Sequence, residues 1–170
     1  MIFTRKVVEG MLYLTLDSIR CHTETDEVGS DEPYVIVTAV DLQTPGPVPN
    51  SRAFRYGPLG DVDSQETHSV NFQAFWGLGG EERALANPED AIFIVSLMEN
   101  DDGNAETLRG FIALAATGAL SATIGANRGT RVQRLLQDIN SAMGTPTGAP
   151  NFDDKVGVQE LRFTQEELAA

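Results

Sequence analysis

Basic residues are scarce in this chain of 170 residues: 12 Lys and Arg stand against 25 Asp and Glu, a formal charge of −13. A surface that tracks phosphates needs a basic patch, so this balance argues against nucleic acid as a direct partner and against a purely electrostatic grip on anionic lipid. A bound cation would reverse the sign locally, so calcium-dependent membrane contact stays open. Cysteine is rarer still. Cys21 stands alone, so no internal disulfide forms, which fits a reducing compartment without requiring one. Cys21 ends an alternating apolar run and reads as a packed residue. With only His22 and His68 beside it, no usual zinc spacing appears. No apolar run reaches the roughly 20 residues that span a bilayer. The start, Met1–Lys6, lacks the cationic segment and long apolar core of a secretion signal, so a soluble chain of unassigned compartment is expected. Gly77-Leu78-Gly79-Gly80 has no Lys nearby and reads as a turn, not a phosphate loop. There is no internal repeat.

What is present is a series of short strand patterns around one helical block. Leu12, Leu14, Leu16, Ile19 and Cys21 mark a half-buried strand whose phase breaks at Asp17-Ser18, as a β-bulge would cause. Tyr34–Val40 is rich in β-branched residues, with Pro33 placed before it where a missing donor does little harm. Pro45, Gly46, Pro47 and Pro49 make residues 41–51 loop. Ser51–Tyr56 reads as a short strand and Gly57–Gln65 as a turn. Thr67–Trp76 reads as a single strand. Ala91–Met98 is almost continuously apolar, as a central strand buried on both faces would be. Residues 107–144 differ in kind. Thr107 is a candidate N-cap, Leu108–Ile124 is rich in Ala and Leu though weakened by Gly110 and Gly118, and a second helix starts at Asn127 or Thr130. Strand character resumes from Val156 to Phe163. The length suits a single domain over residues 1–170. The pattern predicts a mainly β fold, an antiparallel β-sandwich with a helical insertion at about 107–144.

Three acidic turns adjoin these strands: Asp26–Glu32, Glu99–Asn104 and Asp153–Gly157. If they meet in space, their carboxylates repel one another without a cation. Calcium takes about six to eight hard oxygen ligands, and loops rooted in strands can wrap it. Asp26, Asp31, Glu99, Asp101 and Asp154 are the leading ligand candidates, with Asp102, Asn104 and Asp153 as additional ones. Crowded oxygens favour calcium over magnesium, and the spacing is not that of a helix–loop–helix calcium loop.

At these residues the chain resembles the C2 domain family of calcium-binding β-sandwiches. Asp26, Gly29, Asp31, Pro33, Tyr34 and Val35 are similar to that family's first calcium loop, with Glu32 as an apparent insertion. Glu99-Asn100-Asp101 resembles its Asp-x-Asp pair, and Asp154-Lys155-Val156-Gly157 its Asp-x-Ile-Gly element. The resemblance implies calcium as cofactor, held by Asp26, Asp31, Glu99, Asp101 and Asp154. About 50 residues separate the second and third elements, where the family has a few. The helical insertion is expected to cover the loops or replace their tip. No Lys-rich strand suggests a phosphoinositide patch.

Three functions follow as expectations. The leading one is a noncatalytic calcium-binding module that attaches conditionally to a protein, a neighbouring domain or a surface. The second is a hydrolase using Glu24, Glu27 or Glu99 in an acidic cleft. The third is a calcium-independent assembly module docking through Val132, Leu135, Leu136 and Ile139, although such a stripe more often packs on the chain's own sandwich. Phe54, Tyr56, Phe75 and Trp76 are read as core rather than as interface anchors.

Overall fold

The computed structural model describes residues 1–8, 11–23, 31–70, 73–77, 85–101, 103–145 and 153–169. Among them run eight strands: β1 (Ile2–Val8), β2 (Met11–Arg20), β3 (Pro33–Asp41), β4 (Asn50–Tyr56), β5 (Thr67–Ser69), β6 (Ala74–Trp76), β7 (Ala91–Glu99) and β8 (Asp154–Leu161). Helices α1 (Ala105–Ala122) and α2 (Arg128–Ala142) lie between β7 and β8, and a short α3 (Gln165–Ala169) follows. The strands form two four-stranded antiparallel sheets. In the first, β2 pairs with β1 on one side and with β5 and β6 on the other; the second has the order β4-β3-β7-β8. This is the expected sandwich with a helical insertion.

The apolar runs of β3 and β7 are nearly continuous because both of their faces are covered. Val35, Val37, Phe93 and Val95 face the first sheet and join Leu14, Leu16, Phe75 and Trp76 in one core. Phe93 is central there, with Phe75, Trp76 and Phe163 set edge-on at 5.4, 5.5 and 5.7 Å. The alternate residues Tyr34, Ile36, Ile92, Ile94 and Met98 face the other way, onto α1 and α2. Side chains alternate across a strand, so a run apolar at nearly every position serves two cores.

The insertion therefore lies along the outer face of the second sheet. Leu108, Ile112, Ala116 and Leu120 form the buried stripe of α1, and Val132, Leu135 and Ile139 that of α2. Burying three large aliphatics on α1 contributes about 2 kcal/mol each, against roughly 1 kcal/mol lost at each of Gly110 and Gly118. Packing wins, and α1 runs unbroken through both glycines. The α2 stripe packs on the chain's own sandwich, the more frequent fate of such a stripe, and is not left to dock another chain. The cap also differs: Asn104, not Thr107, caps the start of the helix, its Oδ1 accepting the Thr107 N–H at 2.8 Å. For α2 the cap is Asn127.

The phase break in β2 is a bulge. Ile2 opposes Ser18 and Phe3 opposes Leu16, leaving Asp17 between them. Its carboxylate accepts the hydroxyls of Thr15 and Thr4. The single strand expected over Thr67–Trp76 is divided. Ser69 opposes Ser18, whereas Ala74 opposes Thr15, so β5 and β6 meet β2 in different registers. Beyond β2, Cys21 is half-buried rather than packed in the core. Tyr56, Phe75 and Trp76 are core residues, and Phe54 packs against them.

Candidate functional site

The antiparallel ladders bring the roots of the acidic turns to one end of the second sheet. Pro33 opposes Glu99 across β3 and β7, and Glu99 opposes Asp154 across β7 and β8. Clustering like charges at a sheet end is costly unless hydrogen-bond donors offset it. Here the chain supplies those donors. The Glu32 N–H donates to Glu99 Oε1 at 3.3 Å, and Asn100 Nδ2 donates to Glu32 Oε2 at 2.8 Å. The Asn100 N–H also donates to the Glu32 carbonyl, at 3.1 Å. Glu32, the residue that departs from the C2 pattern, thus ties the first turn to the second.

Asp153 is only 7% exposed. Its Oδ2 accepts the Tyr34 hydroxyl at 2.5 Å and its Oδ1 accepts the Gly103 N–H at 2.9 Å. A Cβ on Gly103 would collide with that carboxylate, so the approach needs glycine. Burial, then the hydrogen bond to Asp153, pushes the Tyr34 phenol well above its ordinary 10.0. The phenol therefore stays protonated and keeps donating.

The expected ligands fall into three groups. Asp26 and Asp102 lie outside the described residues, as do Glu24 and Glu27. Glu99, Asp153 and Asn104 already hold protein donors. Asp101 and Asp154 are exposed and Asp31 is half-buried. The Asp31 carbonyl accepts the Val62 N–H at 3.0 Å in an isolated bridge. Among the described residues no group of three or more His, Cys, Asp or Glu side chains is arranged to hold a metal ion. Both oxygens of Asp153 face O–H and N–H donors, whereas at Glu99 Oε1 accepts an N–H and Oε2 is buried without a hydrogen-bond donor among the described residues.

A second polar site went unread in the sequence. A groove of about 590 Å³ runs along the outer side of β4, bounded by α1 and by Gln73. Arg52, Arg55 and Arg109 line it around one carboxylate, Glu106. Arg109 Nε donates to Glu106 Oε1 at 2.7 Å and Arg55 Nε to Oε2 at 3.3 Å. Arg109 first, then Arg55, holds the Glu106 carboxyl below its ordinary 4.5. Three of the chain's 12 basic residues thus border one groove of a molecule with net charge −13. Their spacing gave little signal, because Arg109 comes from a helix more than 50 residues away. His68 pairs at 2.9 Å with Glu66 on the surface.

Comparison with known proteins finds no family model, no curated protein and no solved structure that matches this chain.

Proposed function

We propose that this chain is a noncatalytic protein-assembly module whose fold does not depend on calcium. One observation carries the reading: Asp153, which with Glu99 is one of two buried carboxylates at the acidic end, has both oxygens engaged by the chain's own donors, Tyr34 and Gly103. A carboxylate satisfied in this way needs no cation to offset its burial. Assembly then runs through surfaces other than the α2 stripe, which the helical core has buried. Thermal unfolding of metal-stripped protein, with and without millimolar calcium, tests the proposal. The midpoint is expected to agree within about 1 °C. Binding at 100 times Kd would add about 2.7 kcal/mol, or roughly 5–10 °C for a domain of this size. A rise of that order overturns the proposal.

A second reading, a C2-like module that takes calcium at the rim of the acidic end, is favoured by the convergence of the three turns at Pro33, Glu99 and Asp154. Asp31, Asp101 and Asp154 would supply ligands there. Calorimetric titration separates the two readings. Saturable calcium heat in the native protein, lost in the Asp31→Ala/Asp101→Ala variant, selects the calcium module; flat traces from both select the first reading.

A further inference from the structure

The backbone of β4 has one used side and one open side. Leu42 N donates to the Asp90 carbonyl, so the even-numbered residues of β3 turn their polar groups toward β7 and the odd-numbered ones toward β4. Asn50, Arg52, Phe54 and Tyr56, which oppose odd-numbered residues of β3, therefore complete that ladder. Ser51, Ala53 and Arg55 direct their N–H and C=O groups away from it. An independent contact agrees: the Ala53 carbonyl accepts from Arg109 Nη1 at 3.3 Å. Among the described residues β4 pairs with β3 alone.

An edge of this kind is a template for another strand. Here it forms the floor of the arginine groove, and the Arg109 guanidinium stands where an incoming backbone N–H would donate. We propose that this edge receives an extended, acid-rich peptide segment of a partner protein as an added strand. The assignment rests on the protein-assembly reading and supplies its surface and partner class. Charge selects the occupant. Successive side chains of an added strand point to opposite faces. One face meets Arg52, on the side of the first sheet; the other meets Arg55 and Arg109, beside α1. Acidic residues on either face find a guanidinium, in a molecule whose net charge of −13 repels them elsewhere. A second copy of this chain would set Arg52 and Arg55 against their own counterparts.

A blocked peptide of about seven residues built from Glu, Thr and Val covers β4 at about 3.3 Å per residue and serves as the probe. Titrated into isotope-labelled full chain, it is expected to shift the amide signals of Ser51, Ala53 and Arg55 saturably and to slow their hydrogen exchange. Replacing its Glu by Lys is expected to weaken binding at least tenfold, as is Arg52→Glu or Arg109→Glu (roughly 1.4 kcal/mol). Ala53→Pro removes an outward N–H that the β3 ladder does not use, and about tenfold weakening is expected. Ser51→Pro replaces it if that variant does not fold. The proposal is overturned by absence of saturation in folded protein, by shifts mapping elsewhere, by full binding to either proline variant, or by inorganic phosphate reproducing the amide shifts. Repeating the titration with a chelator separates the two readings. Binding that requires calcium would remove the calcium-independent reading and keep the groove. No binding to a calcium-insensitive fold would remove the groove alone.

Discussion

At the acidic end of the second sheet, Asp153 is 7% exposed and each of its oxygens meets a donor from the chain. Along β4, Arg55 and Arg109 keep side-chain exposures of 30% and 34% around the single carboxylate of Glu106. Both regions concentrate charge of one sign. In the first, removing a partner strands a buried polar group, so the hydrogen bonds act on stability. In the second, water screens the ion pairs and can replace any one of them, so they add little to stability and suit the recognition proposed for this groove. The abundant charge of this chain thus serves its fold, while the scarce charge lines the surface proposed for a partner.

The sharpest way to break this contrast is to exchange the expected effects. Asp153→Ala leaves the Tyr34 hydroxyl and the Gly103 N–H without their acceptor and is expected to cost about 3 kcal/mol, measured by urea unfolding. Arg52→Glu is expected to leave the same midpoint unchanged within error. If the two variants prove equally stable, the acidic end is not a structural network. Gly103→Ala comes next. Its new methyl group must displace the Asp153 carboxylate, at an expected cost of about 2 kcal/mol in the same assay.

Tyr34→Phe removes one of the two donors and is expected to cost about 1.5 kcal/mol. It also has a pH signature. The folded-state pKa of Tyr34 lies above the ordinary 10.0. The folded chain therefore holds the phenolic proton more tightly than the unfolded chain does. Stability from this group is fully present below pH 10 and lost as pH rises beyond it. The wild type is expected to lose stability more steeply than Tyr34→Phe between about pH 10 and 12, read by circular dichroism. Parallel slopes would mean that the phenol is not buried on Asp153. Smallest of all is Glu106→Gln. The Glu106 pKa is lowered, so its contribution is present above the ordinary 4.5 and fades as pH falls. Unfolding at neutral pH is expected to move by less than about 0.5 kcal/mol.

Particular elements show how far the sequence could be read. β7 was legible because a strand covered on both faces leaves a nearly continuous apolar run, and β3 because of its β-branched residues. The bulge at Asp17 was legible because one extra residue flips the alternation. β1 was missed. Thr4, Arg5 and Lys6 interrupt its apolar residues, as suits a strand that, among the described residues, pairs with β2 alone at the sheet's edge. The division of β5 from β6 was missed because the register change arises in pairing with β2, not within the segment itself. Asn104 sits three residues before Thr107, and only helix geometry shows which of the two caps. At the acidic end the turns themselves were visible, but their donors were not. Tyr34 read as a strand apolar residue and Glu32 as a misfit to a pattern.

Composition and periodicity by themselves fixed the class of fold: runs with a period of two, a β-branched strand, a nearly continuous apolar strand and one helical block fit a sandwich with an insertion. They also placed acidic clusters beside strand ends, because those are features of neighbouring residues. Tertiary structure alone decided what the charges do. Whether a carboxylate faces a tyrosine hydroxyl, an amide or open water depends on pairings between residues as distant as Tyr34 and Asp153. The grouping of Arg52, Arg55 and Arg109 likewise exists only after α1 folds back along β4. Hydrogen bonds and ion pairs act over a few ångströms of space, and separation along the chain does not report that distance.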